Sequence, residues 1–324
     1  MPSPTRQPNS SKRYIQISFL QRFGLLLVLL VLGFILSLLS DRFLQVSNLV
    51  NITRQASING IVSVGMTLVV LTGGIDLSVG SVLALSAVIG ADLMKQSMPV
   101  IFAVLIALAV GSVMGAFNGL MITRWRIPPF IATLGTLTVG RGLTLMFTEG
   151  QPVTGLPESF RFLGAGSIGP IPMPIIVAAI TFVVAYIMLT RTRTGEHIYM
   201  LGDNPTAARL AGINIHKTTI LVYALSGFCA ALAGLVLISR LDSAQPVIGS
   251  GYEFNAIAAV VVGGTSFAGG EGTLIGTLLG ALLLETLNNG LNLMNVSSLW
   301  EQVVKGVVIA ASLLFYKAIN RSSR

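Results

Sequence analysis

The residues able to do chemistry are few and far apart in this chain. It has one cysteine, Cys229, and two histidines, His197 and His216, which stand 19 residues apart with no second ligand pattern. A lone thiol makes no intrachain disulfide and no cysteine-based metal site. Glu196 beside His197 is not the H-E-x-x-H pattern of zinc hydrolases, and no glycine precedes a lysine, so the phosphate loop G-x-x-x-x-G-K-[ST] is absent. The expectation is a chain with no catalytic residues, cofactor or metal of its own. If ATP and Mg drive it, another chain binds them. What remains are isolated ionisable groups in apolar surroundings: Asp76 and Glu271, each close to paired glycines, then Arg141 and Glu285. Such groups are costly in hydrocarbon and mark functional candidates, although Arg141 and Glu285 read first as structural hydrogen-bonding groups. An intramembrane enzyme would need a concentrated set, such as paired aspartates, which the spacing does not supply.

The elements that must position these groups are membrane helices. Of 324 residues, 53% are hydrophobic and 10% charged, with a mean hydropathy of +0.83, whereas globular chains carry about 25% charge. A helix needs about 20 mostly apolar residues to cross roughly 30 Å of hydrocarbon. Charge-poor stretches predict ten spans, near residues 23–40, 55–75, 77–91, 98–122, 129–148, 174–190, 218–239, 254–269, 272–289 and 300–316. The third and ninth are short or interrupted, so eight to ten is the defensible range. An even count puts both termini on one side. With that side cytoplasmic, 13 of the 20 Lys and Arg residues lie inside and 5 outside, as the positive-inside rule requires. The net charge of +8 therefore reads as topology, and no nucleic-acid partner is expected. The polar segment 1–19 is expected to be a disordered cytoplasmic tail, 20–317 a single transmembrane domain, and 318–324 a second cytoplasmic tail. The segment 23–40 reads as an uncleaved anchor, since it lacks an A-x-A site and more spans follow.

An internal similarity links residues 70–90 to a stretch 190 residues later. At that offset Gly73 matches Gly263, Gly74 matches Gly264, Gly80 matches Gly270 and Gly90 matches Gly280. Paired glycines inside a membrane free backbone groups that protein or water must satisfy, and broken helices at matching positions point to a translocation path. The alternative is that both pairs are simple turns between spans, with Asp76 an exposed cap. Successive G-x-x-x-G steps at Gly111, Gly115 and Gly119 and at Gly272, Gly276 and Gly280, with Ala230 and Gly234 as a weaker pair, predict close helix packing, mainly within the chain.

The longest polar segment, 191–217, reads RTRTGEHIYMLGDNPTAARLAGINIHK. Asp203 or Asn204 as cap, Pro205 in the first turn and Gly212 as terminator predict a short helix over 206–211.

The runs GMTLVVLTGGIDLSVGSVLAL (65–85), PPFIATLGTLTVGRGLTL (128–145), YMLGDNPTAARLAGIN (199–214), RLDSAQPVIGSGYEFNAIAAVVVGGTSFAGGEG (240–272) and LNNGLNLMNV (287–296) together resemble the ribose-type membrane permeases of sugar ABC importers. The resemblance spans nearly the whole chain in order. It implies an all-α polytopic permease of about ten helices, related to the vitamin B12-type importers, in the bacterial inner membrane. It implies a second permease copy, an ABC ATPase chain with two cassettes that holds ATP and Mg, and a periplasmic or lipid-anchored sugar-binding protein. The short cytoplasmic helix would be the coupling helix, with Asn204, Ala207, Ala208, Arg209, Leu210 and Gly212 matching that segment. From the repeat and nearby polar residues, Gly73, Gly74, Asp76, Ser78, Ser81, Gly263, Gly264, Thr265, Ser266, Asn288 and Asn289 are candidates for the path. D-ribose is the expected cargo; galactose, xylose, allose, autoinducer-2 or a nucleoside are alternatives. An ion-coupled secondary transporter is the rival class, weakened by the scarcity of intramembrane carboxylates.

Overall fold

The computed structural model describes residues 10–297 together with 300, 303, 304, 306 and 307, with side chains from residue 24 onward. Helix α1 (Ser10–Leu39) turns into α2 (Val46–Leu71), followed by α3 (Val79–Lys95), α4 (Val100–Arg124) and α5 (Pro129–Thr148). Strand β1 (Val153–Thr154), α6 (Glu158–Ala165) and the strands β2 (Ser167–Ile168) and β3 (Ile171–Pro172) lead to α7 (Met173–Arg191). Then come α8 (Arg193–Asp203), α9 (Pro205–Leu210), α10 (Ile215–Leu241), strand β4 (Ser243–Ala244), α11 (Tyr252–Val262) and α12 (Leu274–Leu293). The strands form two antiparallel pairs, β1 with β4 and β2 with β3.

Among the described residues six helices, α2, α4, α5, α7, α10 and α12, are long and apolar enough to cross a membrane. Nine of the ten predicted segments overlap a helix, the eighth only over 254–262 because α11 ends there; most of the tenth, 300–316, lies outside the described residues. Helix α11 has 11 residues, a rise of about 16 Å at 1.5 Å per residue, roughly half a hydrocarbon core. The helix α1 starts at Ser10, inside the segment read as a tail, because no Pro or Gly interrupts residues 10–23. Residues 1–9 and 318–324 lie outside the described residues.

The core sits around α2, whose apolar window is 89% buried, while those of α4, α5 and α7 are 22–28% buried and turn their large side chains outward. Small residues bring the helices together. Gly119 of α4 packs on Ile220, Gly115 on the Tyr223 carbonyl, and Gly111 on Gly227 and Ala231, all of α10. Descending numbers against ascending ones make the pair antiparallel. Without side chains between them, the two backbones approach closely enough for dispersion and Cα–H···O contacts to hold them in apolar solvent. The other small-residue steps also pack within the chain. Gly276 and Gly280 of α12 meet the carbonyls of Gly263 and Ala259, and Gly234 of α10 meets α3 at Leu83 and Ala87. Gly272 lies before α12, against Thr265.

These pairings gather the ends of α2, α4 and α7, the start of α10, and α8 and α9 at one end of the bundle. Arg124, Arg126, Arg191, Arg193, Arg209 and Lys217 belong to it, whereas Arg42, Lys95, Arg161 and Arg240 stand in elements at the other.

Candidate functional site

The connection between α2 and α3, residues 72–78, has no repeating hydrogen bonds of its own, so its polar groups need partners elsewhere. The helix ends in a Schellman turn: Gly73, at φ +76°, donates to Val70 O, and Gly74 to Val69 O. Beyond it the Ile75 carbonyl accepts from the Tyr223 hydroxyl and from Thr133 Oγ1, each at 3.3 Å. Asp76 is buried, and its carboxylate accepts from Ser78 N (3.0 Å), Ser78 Oγ (2.6 Å) and Ser226 Oγ (2.8 Å). The Ser78 hydroxyl in turn accepts from Asn118 Nδ2 at 2.8 Å, and Asn118 Oδ1 accepts from Thr136 Oγ1 at 2.5 Å. One bend is thereby tied to α4, α5 and α10. Ser81, one turn into α3, is buried against Gly140 and donates to Ser78 O at 2.9 Å. Asp76 is thus a buried hub of hydrogen bonds and not the exposed cap of the alternative reading.

The second glycine pair closes α11 in the same way: Gly264, at φ +85°, donates to Val261 O, and Thr265 to Val260 O. By conformation Gly73 corresponds to Gly264, an offset one residue longer than the sequence match. The connection after α11 is also longer, 263–273 against 72–78, so the equivalences of Gly80 with Gly270 and Gly90 with Gly280 do not hold: Gly80 lies in α3, packed on Gly249, while Gly270 lies in the loop. Schellman turns also end α3, α5 and α12, at Ser97, Glu149 and Asn295, so that turn by itself does not mark a repeat. The glycine pairs end helices and do not interrupt them.

The α2 and α11 connections meet at α8. Within the polar segment 191–217 a further helix precedes the predicted one: Thr192 caps α8, and Gly195, Ile198 and Leu201 face inward at three-residue spacing. Gly202 in its last turn lies against the Leu71 carbonyl and Gly270 N. Gly270 N–H donates to Leu71 O at 2.9 Å, and the Tyr199 hydroxyl donates to Gly272 O at 3.0 Å. Asn204 ends α8 and starts α9, its Oδ1 accepting from Thr206 N and Ala207 N at 3.0 Å each. Gly212, at φ +82°, terminates α9, as the sequence predicts. Ala208 is buried on the bundle side, while Ala207, Arg209 and Leu210 face out, Leu210 at 85% exposure.

Two further polar sites lie deeper. Between β4 and α11, residues 245–251 run through turns and approach α3, where Gly249 packs on Gly80 and Leu83. Arg141, midway along α5, donates from Nη1 to the carbonyls of Pro246 (3.1 Å) and Ile248 (2.9 Å). Glu253 is buried and interacts electrostatically with Arg141; it was missed because it stands at the edge of an apolar run. Glu285 of α12 accepts from Asn59 Nδ2 of α2, and on the same seam Thr67 and Thr277 share a 2.8 Å hydrogen bond. Arg141 and Glu285 are therefore both hydrogen-bonded to protein, as the structural reading expects.

Gly73 meets Ala268 and Gly269 of the 263–273 connection beside α8, whereas Gly263 packs on Gly276 of α12 and Thr265 on Gly272; Asp76, Ser78 and Ser81 follow Gly73 along the chain. Thr265 and Ser266 are buried there. Asn288 and Asn289 do not join them: they lie near the far end of α12, where Asn289 exchanges hydrogen bonds of 2.8 and 3.0 Å with Asn48. Among the described residues no three His, Cys, Asp or Glu side chains stand close enough to hold a metal.

Several helices long and apolar enough to span a membrane are joined by buried hydrogen bonds at their bends and packed through glycines. The chain belongs to the family described as branched-chain amino acid transport system / permease component, whose model matches residues 48–313. It is 48% identical over 314 residues to the ribose import permease of Escherichia coli strain K12, covering 96% of this chain and 98% of that one. It is 46% identical over 297 residues to the ribose import permease of Bacillus subtilis strain 168, covering 91% and 92%. The D-allose transport system permease of E. coli K12 is 36% identical over 305 residues, 94% of each chain. No solved structure matches. The chain is a multi-pass bacterial membrane protein and a transport subunit, not itself an enzyme.

Proposed function

We propose that this chain is the membrane permease of an ATP-driven importer that carries D-ribose across the bacterial inner membrane. The observation that carries this is 48% identity to a ribose import permease over 98% of that protein's length, against 36% to the allose permease. In this reading ten helices of the vitamin B12-type arrangement span the membrane, both termini are cytoplasmic, and two copies assemble with an ABC ATPase of two cassettes, which binds ATP and Mg. A binding protein outside delivers the sugar.

The end of the bundle that holds α8 and α9 faces the cytoplasm, where its Arg and Lys residues satisfy the positive-inside rule. Helix α9 is the coupling helix. Arg209 and Leu210 are exposed for docking, Ala207 leaves room beside them, Asn204 and Gly212 fix its two ends, and buried Ala208 seats it on the bundle. When the cassettes close, α9 moves as a rigid piece and the helices around Gly73, Gly74, Asp76, Ser78, Ser81, Gly263, Gly264, Thr265 and Ser266 shift to open the path. Asn288 and Asn289 would line its outer part.

The test is uptake of labelled ribose by cells expressing the chain with its ATPase and binding protein, with galactose, xylose and allose as competitors. Ribose uptake that ribose alone displaces is expected. Uptake of allose without ribose would reassign the cargo, and uptake by the purified chain in ATP-free liposomes would remove the ABC assignment in favour of a secondary transporter.

A further inference from the structure

The last turn of α8 packs on the end of α2 and on the 263–273 connection by contacts that only glycine permits. A methyl group on Gly202 would overlap the Leu71 carbonyl and Gly270 N. One on Gly269 would lie 2.9 Å from Gly202 Cα and from Gly73 N, and one on Gly270 2.8 Å from Asp203 Cα. Distances under 3 Å are closer than carbon tolerates, so three backbones are in mutual contact with no side chain between them. Flexible side chains in such a place would absorb a displacement by changing rotamer; backbone atoms in contact do not. Two hydrogen bonds lock the contact: Gly270 N–H to Leu71 O at 2.9 Å, and Tyr199 hydroxyl to Gly272 O at 3.0 Å. Gly202 is helical, and alanine is the better helix former by about 1 kcal/mol, so its use here is not explained by α8 itself.

We propose that Gly202, with Gly269 and Gly270, is the joint that transmits movement of the coupling helix to the bundle. Asn204 closes α8 and opens α9, so α9 cannot be displaced without carrying the turn that holds Gly202. That turn moves the end of α2 through Leu71 and Gly73, and the 263–273 connection through Gly269, Gly270 and Gly272. The two glycine-marked connections thus respond to one input. These residues are positioning residues; none touches cargo or nucleotide.

The proposal rests on α9 being the ATPase-docking helix, and the test separates the two. The full importer of permease, ATPase and binding protein is reconstituted in proteoliposomes, and sugar transported per ATP hydrolysed is measured per assembled complex. Gly202→Ala is expected to assemble with the ATPase but to lower that ratio by about fivefold or more, the lower end of ordinary coupling energies. Tyr199→Phe, which adds no atoms to the joint, is expected to lower it in the same direction by less. A wild-type ratio in both variants overturns the joint, as does a loss confined to the quantity of assembled complex. If Gly202→Ala does not assemble, the Tyr199→Phe ratio decides alone: a fall supports the joint and no change overturns it. Arg209→Ala is the separate control: unchanged ATPase recruitment would remove the docking reading, whereas reduced recruitment beside wild-type ratios would remove only the joint.

Discussion

Arg141 offers a quantitative check on how the non-helical segment 245–251 is held inside the bundle. Its guanidinium donates to the carbonyls of Pro246 and Ile248 at 3.1 and 2.9 Å, and Arg141→Met removes both bonds while keeping an apolar side chain of similar length. A hydrogen bond to a charged group contributes about 1.5–3 kcal/mol in water-soluble proteins, but interhelical polar contacts in membranes average about 0.6, with maxima near 1.7. Two bonds at about 1 kcal/mol each, between those two membrane figures because Arg141 is half-buried, give about 2 kcal/mol for the segment. Opening of 245–251 should then become roughly thirtyfold more populated, since 1.36 kcal/mol corresponds to a factor of ten. The readout is maleimide labelling of Ile248→Cys in a Cys229→Ala background. Ile248 is 9% exposed, so the thiol reacts when the segment opens. A roughly thirtyfold faster rate is expected on adding Arg141→Met, with Arg141→Lys between the two because an ammonium replaces the planar donor. Combining Arg141→Met with Glu253→Gln should cost less than the two effects added, as the carboxylate no longer lacks its partner. A labelling rate within twofold of the parent, or strict additivity, would refute the reasoning.

Asp76 should tolerate loss of charge but not loss of its acceptors. Asp76→Asn keeps an oxygen for Ser78 and offers Ser226 an N–H to accept, whereas Asp76→Ala orphans buried donors at about 1–3 kcal/mol each; denaturation in detergent should show a loss of about 2–4 kcal/mol for alanine and under about 1 for asparagine. Equal losses would contradict the hydrogen-bond account. Asn204→Ala removes the cap that holds the first turn of α9, worth about 1 kcal/mol, and should reduce copurification of the ATPase at limiting concentration by about fivefold. Asn204→Asp, which keeps the acceptor, should restore it.

Local signals were legible where one helix or one cap decides the outcome. The turn at Asn204 and Pro205, the terminator at Gly212, the small-residue faces of α4 and α12 and the placement of nine apolar helices can each be read from residues a few positions apart. Helix α8 was legible in principle from Gly195, Ile198 and Leu201 but was masked by its mostly polar composition. The partners of Asp76 were not legible: Ser226 stands 150 residues away, and Asn118 reads locally as one polar residue in a glycine-spaced packing face. Glu253 was obscured by its position just before an apolar run, and Arg141 was visible as a membrane arginine without any sign that it serves the backbone of 245–251. The fixed-offset repeat is off by one residue at its first glycines and fails beyond them because the two connections differ in length.

Composition, hydropathy and charge placement by themselves determine that this is a membrane-embedded helical chain without a nucleotide-binding loop, because transfer into hydrocarbon is governed by local apolar content and each helix satisfies its own backbone. Only the tertiary structure decides what the exceptional residues do. Satisfying bends and buried charges takes donors and acceptors from other helices, and the folded bundle alone determines that Asp76 meets Ser78 and Ser226, that Arg141 meets two carbonyls, and that Gly202, Gly269 and Gly270 bring α8 against the end of α2 and the 263–273 connection.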